Sequence, residues 1–456
     1  MLKEAIEKYK VYENEKLRKF ILFLESKYKV KDEINFFNQL VNFFKNKDAA
    51  YHRWFIYREG FSHTLIKELI SRSGIERNKF ILDPFCGSGT TIVEAAINGY
   101  SGVGIDINPM SAFISGVKCR CYSEEELNRL LMYREKINIL FQKDILTDEY
   151  EAKYIEVKKF FNENNYKQLL KIRFIIDTLK DEMGEKLYEF FLCAYICIIE
   201  AVSDRKRDGN GLKTQLSKID NVIKYYNEQL SIMYGDVKNY RIDKEVKSKV
   251  EFGSALQLSE IVERCSDCLD MQIGAIMYSP PYANSFDYFE SYKMEVILGD
   301  YAKDMKGISI FRQQAVESFV GRNDNREQTR HFIKLIAQEI EDAIPFKEAQ
   351  TGKKDGRTRK VPKMIKGYFS DMEKVIEESS KVLAKDQYCY IVVDQSAYLG
   401  RIVPTDLFLA YIAENYQFEI SEIIICRNAK TSGQQLQKYP YLKDSLRESI
   451  IVMKKK

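Results

Sequence analysis

The sequence predicts an α/β fold in which a Rossmann-like, mostly parallel sheet carries N-terminal helices and an α-helical insertion. The first observation is the segment KFILDPFCGSGTTIVEAAINGYSGVGIDINP from Lys79, where apolar run, glycine-rich turn, helical pattern and second apolar run follow one another. The second is the return, after residue 246, of short apolar runs that each lead into a loop, such as KVEFGSAL and AIMYSPPY. Between them lies a charged stretch of helical pattern without strand and helix alternation.

These changes of pattern divide the 456 residues into four predicted segments. An N-terminal helical segment covers 1–50, and the first part of the sheet domain covers 51–117. The helical insertion covers 118–246. The second part of the sheet domain covers 247–456 and includes a basic loop at 351–367. A chain of this length can bury a large core without metal or disulfide staples.

Composition predicts a cytoplasmic protein. Charged residues make up 30% of the chain, yet the formal net charge is only +4, so any nucleic-acid surface must come from local clustering. The nine cysteines do not form the pattern of a secreted disulfide framework. The N-terminus lacks an apolar signal core and no apolar run is long enough to span a bilayer, so we expect no membrane partner.

A metal site has little support in the sequence. The only histidines are His52, His63 and His331, and one isolated CSDC pair occurs at Cys265 and Cys268. We therefore expect no metal.

The turn DPFCGSGTT predicts a nucleotide-like cofactor site. Gly87 and Gly89 allow a tight turn after a strand, and the next helix offers its N-terminal amides to a ligand. Asp106, about twenty residues on, is placed to accept hydrogen bonds from ribose hydroxyls, as NAD or S-adenosylmethionine would require. The turn lacks both GxGxxG and a P-loop lysine, which favours the phosphate-free S-adenosylmethionine. The predicted cofactor residues here are Asp83, Pro84, Phe85, Gly87, Gly89, Thr90, Thr91, Asp106 and Ile107.

The tetrapeptide Ser279, Pro280, Pro281 and Tyr282 predicts a catalytic loop at the carboxyl end of a second strand. Prolines donate no amide hydrogen, so the Pro280 carbonyl and the Ser279 hydroxyl are candidate acceptors for an NH2 group. Such acceptors would direct the nitrogen lone pair towards a sulfonium methyl, while Tyr282 offers a face for stacking. A base inside a duplex must flip out to reach this loop. An ordinary turn with a buried tyrosine is the alternative.

Together, these motifs resemble those of the amino-methylating DNA methyltransferases of the SPPY type, which act on cytosine N4 or adenine N6. DPFCGSGTT resembles the cofactor motif of that family, GVGIDINP its acidic ribose motif and SPPY its catalytic motif. The resemblance implies a class I methyltransferase fold, S-adenosyl-L-methionine as the cofactor and double-stranded DNA as the partner. It also allows a cognate restriction endonuclease as a second partner.

The resemblance covers roughly residues 50–117 and 247–456. Within it, HRWFIYREGFSHTLI resembles the segment that closes over the methionine end of the cofactor, which implies that Phe61, Ser62 and Thr64 lie near it. Cytosine-N4 enzymes commonly carry SPPY, whereas adenine enzymes more often begin the motif with Asp or Asn, so cytosine N4 is favoured and adenine N6 stays open. The same motifs also allow an RNA or protein amide methyltransferase, or a noncatalytic cofactor-binding module.

The segment GKKDGRTRKVPKMIKG at 352–367 is the candidate DNA-binding loop, because clustered cations neutralise phosphates. A solvated charge run is the alternative. A second basic group surrounds the turn DGNG in the insertion, which we regard as a possible DNA-recognition region, although a helix-linking loop is the favoured interpretation. Its members are Arg205, Lys206, Arg207 and Lys213. The predicted DNA-binding residues are Lys353, Lys354, Arg357, Arg359 and Lys360.

Overall fold

The computed structural model describes residues 6–57, 60–209, 211–266, 272–322, 330–429, 431 and 433–456. Twelve strands occur in these residues. They are β1 (Val30–Asp32), β2 (Phe80–Asp83), β3 (Gly102–Asp106), β4 (Arg205–Asp208), β5 (Gly211–Thr214), β6 (Ser248–Phe252), β7 (Ile273–Tyr278), β8 (Leu383–Asp394), β9 (Ser396–Tyr398), β10 (Arg401–Val403), β11 (Phe418–Asn428) and β12 (Arg447–Lys455).

Eight strands form one sheet in the order β1-β11-β12-β8-β7-β2-β3-β6. Neighbours in it run parallel, except that β12 is antiparallel to both β11 and β8. The predicted Rossmann-like, mostly parallel sheet is therefore confirmed. From β2 the sheet extends to β3 and β6, whereas from the adjacent β7 it extends the other way to β8. The carboxyl ends of β2 and β7 thus form a topological switch point, where open α/β sheets bind ligands.

Twenty-one α-helices lie in the described part of the chain, together with five short 3-10 helices. The α-helices are α1 (Glu15–Lys27), α2 (Ile34–Phe37), α3 (His63–Ser73), α4 (Thr90–Ile97), α5 (Pro109–Lys118), α6 (Glu124–Phe141), α7 (Asp148–Lys153), α8 (Ile155–Lys158), α9 (Glu163–Thr178), α10 (Lys180–Met183), α11 (Glu185–Val202), α12 (Val222–Asn239), α13 (Leu258–Ser266), α14 (Tyr288–Ser291), α15 (Lys293–Leu298), α16 (Met305–Gln314), α17 (His331–Thr351), α18 (Val361–Val382), α19 (Thr405–Ala413), α20 (Gly433–Lys438) and α21 (Leu442–Ser445).

The N-terminal segment belongs to the sheet domain, which the prediction of a helical segment over 1–50 missed. β1 pairs in parallel with β11 at the edge of the main sheet. Leu17, Ile21 and Leu24 of α1 are fully buried, in the same core as residues of β8 and β12. A strand of three residues is too short to show an alternating pattern, so nothing in the residue order indicates it.

The insertion is helical as its pattern indicated, with one exception. Helices α6 to α12 fill it and share a core with Ile92 of α4 and Ile114 of α5, which follow the glycine-rich turn. The exception is the hairpin of β4 and β5, which the run of cations concealed because strands usually alternate apolar and polar residues.

The predicted basic loop at 351–367 is shorter than expected. A turn follows the end of α17, a 3-10 helix covers Thr358–Lys360, and α18 begins at Val361. Val361, Met364 and Ile365 are buried on one face of α18. The second half of the predicted loop is therefore a helix with one buried face. Lysines there lie between those apolar positions, which made the segment look like a charged loop. We call 352–360 the basic turn.

Candidate active site

A cleft of about 1020 Å³ lies at the switch point between β2 and β7, and we call it the cofactor cleft. The glycine-rich turn after β2, the end of β3 and the SPPY loop after β7 all contribute to it. The sequence-predicted residues that line it are Phe61, Asp83, Pro84, Phe85, Gly87, Thr90, Asp106, Ile107, Ser279, Pro280 and Pro281. Two motifs that are almost two hundred residues apart in the chain thus meet at one site.

Backbone amides hold the two carboxylates of the cleft in place. The amide of Gly87 donates to one carboxylate oxygen of Asp106, and the amide of Asn108 donates to the other, each at 2.8 Å. The amide of Phe85 donates to Asp83 at 2.9 Å. A side chain at Gly87 would place its Cβ 3.0 Å from the ring of Tyr57, so this close approach requires glycine.

Both carboxyl groups are harder to ionise than usual. Burial raises the pKa of Asp83 to about 7, and the nearby Thr91 hydroxyl and Phe85 amide offset part of that effect. Burial raises the pKa of Asp106 to about 6, although the amides of Asn108 and Gly87 favour its charged form. A cation bound in the cleft would lower both pKa values, because it stabilises the carboxylates.

The remaining lining suits a flat, phosphate-free ligand. The rings of Tyr57, Phe61, Phe85, Tyr288 and Phe289 border the cleft, and no lysine or arginine occurs among the described residues that line it. A pyrophosphate would meet carboxylates here instead of cations. A nucleoside with a cationic group fits the charges and the apolar walls better.

Four predicted cofactor residues support the cleft from behind its surface. The hydroxyl of Ser62 accepts from the amide of Thr64 and caps α3, and the two hydroxyl oxygens are 2.7 Å apart. Gly89 has a φ of 89° and packs against Ser115 of α5. Thr91 is completely buried in α4. These residues shape the turn and α3, and they do not line the cofactor cleft.

A chain of hydroxyl groups ties the SPPY loop to β12. The Ser279 hydroxyl lies 3.0 Å from the Tyr282 phenol oxygen and 3.1 Å from the carbonyl of Val392, and can donate to either. The phenol of Tyr282 donates to Glu448 at 2.9 Å. Tyr282 itself does not line the cofactor cleft. Glu448 is 2% exposed and pairs with Arg427. No motif marks Glu448, so sequence reasoning missed it.

A second cleft of about 1690 Å³ lies next to the residues that follow the SPPY motif, and none of the four SPPY residues lines it. Asn284 and Ser285 border it directly after the SPPY motif, and Arg357 of the basic turn faces them. The Arg357 guanidinium donates to the Ser285 carbonyl at 3.0 Å. Tyr398 and Tyr439 provide aromatic walls.

All five predicted DNA-binding residues are exposed on the basic turn. Arg359 pairs with Glu348 through two hydrogen bonds, one of them 2.7 Å long, so its charge is partly neutralised. Lys353, Lys354 and Lys360 are exposed, and other residues of the same turn, among them Asp355 and Arg357, border the second cleft. The three lysines form the open cationic part of the turn.

The cations of the second basic group differ in their exposure to solvent. Arg207 is 4% exposed, pairs with Glu200 at 2.7 Å and with Glu295, and packs on the ring of Tyr292. It therefore holds the β4–β5 hairpin onto α14 and α15. Lys213 is exposed on β5 and pairs with Asp208 at 3.2 Å.

Among the described residues, no three His, Cys, Asp or Glu side chains are grouped to hold a metal ion. Cys268 of the CSDC pair lies outside those residues. In the same part of the chain, no helix combines the length and apolar character that a membrane span requires.

This chain is similar in sequence to known DNA methylases. A family model described as DNA methylase matches residues 3–115. The Type II methyltransferase M.AvaI of Nostoc sp. is 25% identical over 91% of this chain and 89% of its own length. M.BsoBI of Geobacillus stearothermophilus is 27% identical over 95% and 92%, and M.MvaI of Kocuria varians is 21% identical over 85% and 86%. The match begins at residue 3, so our expectation that the resemblance starts near residue 50 was wrong.

Proposed function

We propose that this chain, which belongs to the amino-methylating DNA methyltransferases, methylates the exocyclic amino group of a flipped base in duplex DNA, with cytosine N4 the favoured target. S-adenosylmethionine is the proposed methyl donor. One observation carries this proposal: the glycine-rich turn after β2 and the SPPY loop after β7 border the same cleft. The methyl donor and the amino group that receives the methyl could therefore lie next to each other.

The charge and the aromatic lining of the cofactor cleft support S-adenosylmethionine as its ligand. When bound, this cofactor supplies an electrophilic methyl group on a cationic sulfur. Asp106 is positioned to accept hydrogen bonds from ribose hydroxyls, because two backbone amides already orient its carboxylate. Phe61 and Phe85 provide apolar contacts, and Asp83 favours a positive charge nearby.

The SPPY loop would hold the amino group that receives the methyl group. Ser279 and Pro280 line the cleft, and the Ser279 oxygen and Pro280 carbonyl are the proposed acceptors for its two hydrogens. Held in this way, the nitrogen directs its lone pair at the methyl carbon. Transfer of the methyl group would leave the electron pair of its former bond on the donor, while Ser279 and Pro280 would hold the nitrogen that gains the methyl group. The nitrogen then loses one proton to an acceptor of the loop or to water.

The second cleft is the proposed entry for the flipped base. It is bordered by Asn284 and Ser285, which follow the SPPY motif, and has aromatic walls at Tyr398 and Tyr439. Extrusion of a base costs a few kcal/mol, which phosphate contacts can offset. Lys353, Lys354 and Lys360 are exposed on the basic turn, whose Arg357 borders the second cleft, and they are the proposed phosphate contacts.

Cytosine is favoured over adenine by the serine that begins the SPPY motif, since adenine enzymes of this family more often carry Asp or Asn there. Methylation of adenine N6 is the second candidate, and it would use the same cleft and acceptors. A restriction endonuclease of the same specificity is a proposed partner, because the relatives M.AvaI and M.BsoBI are named as Type II methyltransferases.

The proposal is tested by offering duplex DNA, RNA and protein extracts to the enzyme with methyl-labelled S-adenosylmethionine. We expect label in duplex DNA and its loss in Ser279→Ala, which removes an acceptor. Ser445→Ala is the control, because it removes a hydroxyl at the end of α21 that donates to the carbonyl of Tyr441, the residue before that helix. Label in RNA or protein but not in DNA would contradict the DNA assignment.

A further inference from the structure

The hydroxyl chain of the SPPY loop has a defined direction. It runs from Ser279 to Tyr282 and ends on Glu448, which is 166 residues further along the chain on β12. A carboxylate can only accept, so the phenol of Tyr282 must be the donor in their hydrogen bond. The paired guanidinium of Arg427 favours the carboxylate form of Glu448.

The phenol cannot reverse its role. Burial, followed by the charge of Glu448, raises the pKa of Tyr282 well above 10, so the phenol keeps its single proton and commits it to Glu448. The phenol oxygen is then available to Ser279 only as an acceptor. The proton of Ser279 has two acceptors within reach, Tyr282 at 3.0 Å and the Val392 carbonyl at 3.1 Å.

This direction determines what Ser279 can do for a substrate. With its own proton engaged on the protein side, the Ser279 oxygen has a lone pair left for the cleft that the residue lines. If the phenol of Tyr282 donated to Ser279 instead, the serine proton would be left with only the Val392 carbonyl or the cleft as acceptor. A hydroxyl that donates into the cleft would turn its own hydrogen towards the hydrogens of an amino group instead of accepting them.

We propose that Glu448 is a positioning residue that acts through Tyr282 to make Ser279 a hydrogen-bond acceptor for the substrate amino group. The inference rests on the proposed function, because only a donor substrate requires an acceptor at this position. It assigns Tyr282 a role other than the stacking that the sequence predicted, and it gives a buried acid on the antiparallel strand a part in the reaction.

A double-mutant cycle tests the proposal. Single-turnover methyl transfer to duplex DNA is measured for wild type, Glu448→Ala, Tyr282→Phe and the double variant, with dissociation constants for DNA and cofactor. Charge-assisted hydrogen bonds are strong, so we expect Glu448→Ala to slow transfer about tenfold or more, with little change in binding. Glu448→Gln retains an acceptor oxygen and should be less impaired.

The decisive comparison is made in the Tyr282→Phe background. If Glu448 acts through the phenol, Glu448→Ala should have no further effect there. If it slows transfer equally in both backgrounds, Glu448 has only a structural role and the inference is wrong. Glu422→Ala is the matched control, because Glu422 is also an ion-paired glutamate, on β11, and lies outside the hydroxyl chain.

A readout independent of activity separates this inference from the proposed function. In protein labelled with carbon-13 at the tyrosine phenol carbon, the Tyr282 signal is identified by its loss in Tyr282→Phe. We expect it to shift in Glu448→Ala and to stay in place in Glu422→Ala. An unchanged signal in Glu448→Ala overturns the inference even if the enzyme methylates DNA. A shifted signal without DNA methylation by the wild type refutes the proposed function, and with it the acceptor role.

Discussion

The carboxyl groups of Asp83, which is buried, and Asp106, which is partly buried, set the charge of the cofactor cleft. The pKa of Asp83 is raised to about 7 and that of Asp106 to about 6, mainly by burial. In the protein without ligand, these two carboxyl groups are therefore partly protonated at neutral pH and below. A cationic ligand reverses this, because it lowers both pKa values and expels those protons.

We expect cofactor binding to release protons near pH 6, and its affinity to rise between about pH 5 and pH 7. The sign follows from the pKa values, since the bound cation favours the ionised carboxylates, and the effect ends above the pKa of the free protein. Calorimetry at pH 6 in two buffers of different ionisation enthalpy measures this. Asp83→Asn should release fewer protons. Equal heats in both buffers for the wild type would contradict the assignment of Asp83.

At the level of elements, the turn between β2 and α4 depends on close packing of two helices. Gly89 begins α4 with a φ of 89°, and a Cβ there would lie 3.0 Å from the Cβ of Ser115 on α5. Gly74, which ends α3, also has a positive φ of 61°, but it has open space around it. A side chain at Gly74 would therefore strain only the backbone, whereas a side chain at Gly89 would strain the backbone and also clash with α5.

We expect Gly89→Ala to destabilise the protein considerably more than Gly74→Ala. The left-handed conformation costs a non-glycine residue about 1 to 2 kcal/mol, and this is the whole expected cost at Gly74. At Gly89 the collision with α5 adds to it. Urea unfolding gives both free energies. Similar values for the two variants would show that α4 and α5 tolerate a side chain at the turn.

The basic turn is the second element with a testable role. We expect Lys353→Ala and Lys354→Ala each to weaken DNA binding and to reduce the slope of log affinity against log salt by about 1, because each lysine would neutralise one phosphate. Titrations at several salt concentrations measure the slope. Lys16→Ala, which alters an exposed lysine of α1, is the control and should leave it unchanged. Unchanged slopes for both lysines of the turn would place the DNA elsewhere.

On the scale of the whole molecule, the N-terminal segment and the strands after residue 247 form one core. α1 buries Leu24 among residues of β8 and β12, and β1 covers the edge of β11. An exposed strand edge invites aggregation, so β1 also protects the sheet. The segment is therefore a part of the sheet domain.

We expect Leu24→Ala to lower the free energy of unfolding of the entire protein by about 2 to 5 kcal/mol, as is typical of buried leucines. Phe23→Ala, at a neighbouring residue that is 53% exposed, should change it by only about 0.5 kcal/mol. Denaturant unfolding followed by fluorescence and circular dichroism measures both. A separate early transition in Leu24→Ala, with the main one unchanged, would show that α1 folds independently.

The sequence was sufficient for the parts of the molecule that depend on neighbours along the chain. The turn around Gly87, the acid at Asp106 and the SPPY loop after β7 each follow a strand directly, so their meeting at one sheet edge could be predicted. Glu448 could not, because its role depends on β12 lying two strands away from β7. β1 was too short to recognise, and the hairpin around Arg207 was hidden by its charges.

Nucleoside analysis of methylated duplex DNA tests the central claim most directly. DNA incubated with the enzyme and S-adenosylmethionine is digested and its nucleosides are identified by mass spectrometry, with Ser279→Ala in parallel. We expect N4-methylcytosine from the wild type and a large loss of it in the variant. N6-methyladenine instead would correct the base and retain the site. Methylation at a ring carbon, or undiminished product from Ser279→Ala, would contradict the amino-group mechanism.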